Sequence, residues 1–134
     1  MKKFSKDIAE IAKDAKSITF SADNQSVLII RSDNSAIVQD LKPSPVPNTK
    51  AATYNLPTAN SYSWFEGDSK HLISIEGNAI NILDSDGTNK FSLFTGDFDP
   101  SAVFGWPDGS RIVISINLNT KSNPLPNLYT IGLK

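Results

Sequence analysis

Three times along the chain an aromatic residue is followed by a polar turn and then by a β-branched apolar run. Phe20 leads into SADNQSVLII, Trp64 into FEGDSKHLISI and Trp106 into PDGSRIVISI. Phe20 and Trp64 are 44 residues apart, and Trp64 and Trp106 are 42 apart. Self-similarity at roughly 40–45 residues is the period of four-stranded propeller blades. A two-sheet β-sandwich is the alternative, but it needs similar strands and not this period.

The remainder of each unit repeats as well. After the apolar run comes a second turn and a second strand: AIVQDL at 36–41, AINILD at 79–84 and NLYTIGL at 127–133. A last strand follows in two units, ATYNL at 52–56 and KFSLF at 90–94. Each unit therefore reads as four strands, the first ending at the aromatic. The second strands, Val27–Ile30, Leu72–Ile75 and Ile112–Ile116, are nearly continuous in apolar residues. A strand with one wet face alternates, so a continuous run predicts cover on both faces, as between stacked blades. Asp86-Gly87 and Asp108-Gly109 are hairpin dipeptides, because glycine accepts positive φ without penalty. Glu66-Gly67-Asp68 and Asp23-Asn24 take the same place in the other units. The expected fold is all-β: three four-stranded propeller blades over 17–57, 58–98 and 99–134.

WPDGSRIVIS, followed by NLYTIGL, resembles the repeat of TolB-type, WD-like β-propellers. DSDGTNKFSLFTGDFDPSAVFGWPDGS follows the same pattern through a turn, a last strand and the next first strand. The chain departs from it in lacking the serine before Pro107. The likeness covers residues 17–134. It implies blade architecture and a platform for binding, and it is not specific for an activity.

The third unit stops at Lys134 without its fourth strand. Three blades also fall below the roughly four to eight that close a ring. KKFSKD at 2–7 echoes NKFSLF at 89–94, and Phe4 precedes Phe20 by 16 residues as Phe91 precedes Trp106 by 15. Lys3–Ser5 is thus a candidate closing strand. Residues 1–16 also carry a helical pattern, with Phe4, Ile8, Ile11, Ala12 and Ala15 on one stripe and lysines and acids between them. A short helix is expected there, with the strand before it. KPSPVPNTK at 42–50, with three alternating prolines, reads as an extended connection.

Charge narrows the partners. Thirteen basic residues face 14 acidic ones, for a net charge of −1. That is no footprint for nucleic acid, which selects a basic excess. With no cysteine there is neither a disulfide nor thiolate chemistry, and one histidine, His71, makes no His-rich metal site. No apolar run reaches the roughly 20 residues of a membrane span. No apolar core follows Met1-Lys-Lys, so a signal peptide is not expected, and the chain is either cytoplasmic or part of a longer exported protein.

No nucleophile–base pair and no Gly-x-Ser-x-Gly elbow stands out, so no enzyme activity and no cofactor are expected. Asp84, Asp86 and Asn89 place oxygens at calcium-loop spacing, but the further ligands of a full loop are missing, and a hairpin turn accounts for them. His71 reads as a surface or structural residue. Trp64 and Trp106, taken to hold one repeat position, read as core. NLNTKSNPLPN at 117–127 lengthens one hairpin of the third blade, on the rim where propeller loops meet ligands. Asn117, Asn119, Lys121 and Asn123 are its candidate partner contacts. The expectation is a non-catalytic binding or scaffold module that self-associates, two copies closing a six-bladed ring. The alternatives are the propeller part of a larger hydrolase, or a sugar- or calcium-binding propeller.

Overall fold

The computed structural model describes residues 13–41, 52–65, 69–116 and 127–133. These form eleven strands: β1 Ala15–Phe20, β2 Ser26–Arg31, β3 Ala36–Asp40, β4 Thr53–Asn55, β5 Ser61–Trp64, β6 His71–Glu76, β7 Ala79–Asp84, β8 Phe91–Thr95, β9 Val103–Gly105, β10 Arg111–Ile116 and β11 Asn127–Gly132. There is no helix among the described residues. Three antiparallel sheets result, ordered β1-β2-β3-β4, β5-β6-β7-β8 and β9-β10-β11. Within each sheet the strands pair in sequence order, which keeps the hydrogen-bonded partners local.

The apolar runs sit where continuous burial demands. β2, β6 and β10 lie inside their sheets, and Ile29, Leu72 and Ile112 have no exposed surface. Alternate residues of each strand face opposite ways. Leu28, Ala36 and Val38 of the first sheet pack with Tyr62, Leu72 and Leu83 of the second. On the other side of the second sheet, Phe65, Ile73 and Ile80 pack with Ile112, Ile114 and Ile116 of the third. The second sheet is therefore buried on both faces. Two hydrogen bonds also join the first sheet to the second: Trp64 Nε1 donates to the Thr19 carbonyl at 2.9 Å, and the Asp23 amide donates to Ser69 Oγ at 2.9 Å.

All three sheets stack in the same sense. Val27, Leu72 and Ile112 hold one register position, second in their strands and opposite Gln39, Leu83 and Ile131. Leu72 faces the first sheet and Ile112 faces the second, so each sheet turns this side to the one before it. Val27 accordingly faces away from the second sheet and joins Ile29 and Ile37 in a separate buried cluster. The next residues, Leu28, Ile73 and Val113, face onward. Leu28 meets the second sheet and Ile73 the third.

Two expectations change. The helical stripe cannot extend to Ala15, because Ala15 and Lys16 begin β1 and Asp14 takes a φ of 56°. The Asp14 carbonyl instead accepts from the Ser32 amide at 2.9 Å, which ties this segment to β2. Residues 1–12, with the rest of the expected helix and the candidate strand Lys3–Ser5, lie outside the described residues.

The second change concerns the tryptophans. Phe20 pairs with Val27, Trp64 with Leu72, and Gly105, not Trp106, with Ile112. Trp106 stands one residue further on, level with Phe65 and Ser21. In all three the backbone amide donates to the residue that starts the next strand, Arg111, His71 or Ser26. The two tryptophans thus face opposite ways. A turn one residue longer between Trp64 and Leu72 than between Phe20 and Val27 hid this from spacing alone.

Candidate interaction surface

The third sheet carries an exposed apolar face. Phe104 and Thr130 flank Val113 across the strands, and Leu128 lies beside Ser115. All point away from the Ile112–Ile114–Ile116 side. Phe104 is 59% exposed and Leu128 72%. Trp106 belongs to the same face and is 41% exposed, with the Arg111 guanidinium 5.6 Å above its ring. Its counterpart Phe65, on the same side of the second sheet, is 2% exposed because the third sheet covers it. The contrast between these two aromatics comes from what lies next to each.

At the other end of the stack, Ile18 and Phe20 pair with Ile29 and Val27 on the outward side of the first sheet. Both are more than half exposed. No described residue of another sheet joins the Val27–Ile29–Ile37 cluster on that side. The chain thus ends in two unlike faces, each the counterpart of one already used between its own sheets.

Two clefts flank the stack. A polar one of about 460 Å³ lies between the first and second sheets, with Asp40, Tyr54, Lys70, His71, Asp84 and Asp86 among its walls. His71 and Asp84 are cross-strand partners, with Nε2 and Oδ1 3.2 Å apart. An apolar one of about 520 Å³ lies between β8 and β11.

The Asp84–Asn89 segment is a hairpin turn. The Asp84 amide donates to the Thr88 carbonyl and Asn89 Nδ2 to Asp84 Oδ2 at 2.7 Å, while Asp86 Oδ1 accepts from the Thr88 amide at 3.0 Å. Asp84 Oδ2 and Asp86 Oδ1 are thus directed at the turn's own donors, and Asp84 Oδ1 at His71. Among the described residues no three His, Cys, Asp or Glu side chains stand close enough to hold a metal ion. The same device recurs where the sequence showed different dipeptides. Asp33, Asp86, Asp99 and Asp108 each accept from a Ser or Thr two residues on. That side-chain bond, with the matching backbone bond, holds each carboxyl below its usual range. Asn24 and Asn34 take positive φ, as Gly87 and Gly109 do. Asparagine tolerates that region better than other side chains, so Asp-Asn builds the turn that Asp-Gly builds elsewhere.

Asn117, Asn119, Lys121 and Asn123 lie outside the described residues, and the expected loop's last position, Asn127, begins β11. Sequence spacing did not mark Phe104, Trp106 and Leu128 as a surface. Among the described residues no helix is long and apolar enough to cross a membrane. No protein-family model matches the chain, and no curated protein matches it.

Proposed function

We propose that this chain is a non-catalytic binding and scaffold module of the β-propeller type that works as a homodimer. The observation that carries the reading is the common sense of the stack. It leaves Phe104, Trp106 and Leu128 on the onward face of the third sheet, and Ile18 and Phe20 on the outward face of the first, exposed at opposite ends. Apolar areas of this kind are usually covered on stable proteins. Two copies related by a two-fold axis set the third sheet of each against the first sheet of the other, twice. The ring so formed has six sheets, within the propeller range of roughly four to eight. Trp106 then takes in the partner contact the place that Phe65 takes inside the chain.

Light scattering over a dilution series tests this. The expected particle has twice the 14.6 kDa of one chain. Trp106→Asp and Leu128→Asp each convert it to a folded monomer. A full chain that stays at 14.6 kDa and stays soluble overturns the dimer.

One observation favours a second reading. Val27, Ile29 and Ile37 are already buried on the outward face of the first sheet. A cap formed by Phe4, Ile8 and Ile11 would produce that burial and keep the chain monomeric. In that case deleting residues 1–12 exposes the cluster and causes aggregation.

A further inference from the structure

Among the described residues the third sheet has a strand fewer than the other two, and no described strand pairs with its last edge. Leu133 donates from its amide to the Ser110 carbonyl at 3.0 Å. Antiparallel pairing alternates, so Asn127, Tyr129 and Ile131 turn their backbone groups to β10 as well. The N–H and C=O groups of Leu128, Thr130 and Gly132 therefore face outward, and no hydrogen bond from a described residue takes them up. Beside this edge lies the apolar cleft of about 520 Å³, with Ile82, Phe91 and Leu93 on one wall and Ile131 and Leu133 on the other.

The two complete sheets show what belongs there. Val38, Ile82 and Thr130 hold one position, each opposite the onward-facing residue of the central strand: Leu28, Ile73 and Val113. In the first sheet Val38 is paired with Tyr54 of β4, and in the second Ile82 is paired with Phe91 of β8. An aromatic thus sits at this point of the outer strand in both. Phe91 is 67% exposed but Tyr54 only 37%. Tyr54 looks toward a sheet of four strands, whereas Phe91 looks toward one with three among the described residues.

We infer that the open edge of β11 takes up Lys3–Ser5 of a second copy as the twelfth strand, with Phe4 opposite Thr130. Lys3-Phe4-Ser5 repeats Lys90-Phe91-Ser92 residue for residue. Connectivity selects the second copy over the same chain. Each outer strand leads into the first strand of the next sheet, β4 into β5 and β8 into β9. Lys3–Ser5 leads into β1, so the sheet it completes precedes the first sheet. Within one chain the first sheet packs on the second, and among the described residues no apolar cluster joins it to the third. The third sheet that stands before it is the partner's. The inference rests on the head-to-tail dimer proposed above. It adds that the dimer is latched by exchanged strands, which satisfy an edge that otherwise invites aggregation.

The chain has no cysteine, so engineered cysteines report directly. Residues directly opposite across an antiparallel pair have Cα atoms roughly 4.5–5.5 Å apart, within disulfide reach. Full-length Phe4→Cys protein is mixed with isotope-labelled Thr130→Cys protein and mildly oxidised. The expected product is a mixed covalent dimer, with the two cysteines found in one linked peptide by mass spectrometry. Pairing Phe4→Cys with Asn55→Cys gives none. Deleting residues 1–7 raises the dimer dissociation constant at least tenfold. A dimer that persists unchanged on that deletion, with no Phe4–Thr130 link, overturns strand exchange and leaves the face-to-face dimer standing. A disulfide formed within one Phe4→Cys/Thr130→Cys chain overturns exchange in favour of self-closure. A full chain that is monomeric overturns both readings.

Discussion

The second and third sheets follow one plan and end in opposite circumstances. Both place a β-branched strand at the centre, β6 or β10, and both put an aromatic just before the turn that leads into it, Phe65 or Trp106. The second sheet has neighbours on both faces and a full set of four strands. Among the described residues the third has a neighbour on one face and three strands. Phe65 is buried and Trp106 is not; Ile82 is paired on its outer side by β8, whereas Thr130, paired with Val113, has no described strand on its outer side. On this face of the third sheet Thr130 and Ser115 stand where the second sheet has Ile82 and Ile75, while Phe104 and Leu128 still present large apolar side chains to the surface.

The largest test of the comparison is truncation at the paired aromatics. Phe65→Ala removes a side chain packed between two sheets and is expected to cost about 3–5 kcal/mol, as large core truncations do. Trp106→Ala, in protein diluted to the single chain, loses the guanidinium stack and little else, about 0.5–1 kcal/mol. Urea unfolding of both variants at low concentration measures the gap. Equal losses would mean that Trp106 is already covered in the single chain.

Next in size is the central strand against the outer face. Leu72→Ala, with no exposed surface, is expected to cost about 2–5 kcal/mol. Leu128→Ala, at 72% exposure, stays within about 0.5 kcal/mol in the single chain. Thermal melts at two protein concentrations sharpen this. If Leu128 lies in a dimer contact, its substitution lowers the melting temperature only in the concentrated sample.

A smaller difference is expected between two turn glycines. Gly87 has a φ of 88°, and a Cβ there would lie 3.2 Å from the Asn55 carbonyl oxygen. Gly77 has a φ of 57° with open space around it. Gly77→Ala bears only the left-handed penalty, about 1–2 kcal/mol. Gly87→Ala adds a collision with backbone of the first sheet and should be the worse of the two by denaturant midpoint.

The smallest effect concerns acid. Asp33, Asp86, Asp99 and Asp108 are held below the ordinary value of 3.8 by their Ser or Thr partners. A carboxyl depressed in the folded state stabilises above its unfolded pKa. That contribution disappears as pH falls through the folded value. The urea midpoint should therefore drop as pH falls below about 4. Replacing all four by Asn should flatten the drop and leave the neutral-pH fold in place. A parent midpoint that does not change in that range would show that the turn bonds are absent in solution.

Local chemistry wrote most of the strand plan into the chain. The runs Val27–Ile30, Leu72–Ile75 and Ile112–Ile116 are central strands because β-branched residues favour extended backbone and leave no polar side to turn to water. The Asp-Gly and Asp-Asn turns announce the hairpins because each carries a residue that accepts positive φ. At Ala15 the helical stripe misleads. Alanine and lysine are indifferent enough for pairing with Arg31 to draw that end into β1. The tryptophans mislead in another way, since a period of 42 or 44 residues does not resolve a turn one residue longer.

The period, the strand order within each repeat and the turn positions were thus determined by sequence alone, since each depends on residues a few places apart. The tertiary structure decided which side of each strand faces the sheet before it, that Trp106 matches Phe65 and not Trp64, and that Phe104, Trp106 and Leu128 make one exposed face. Side-chain direction reverses with every residue along a strand, so a shift of one place exchanges core for surface. Only pairing across strands distant in the chain sets that register.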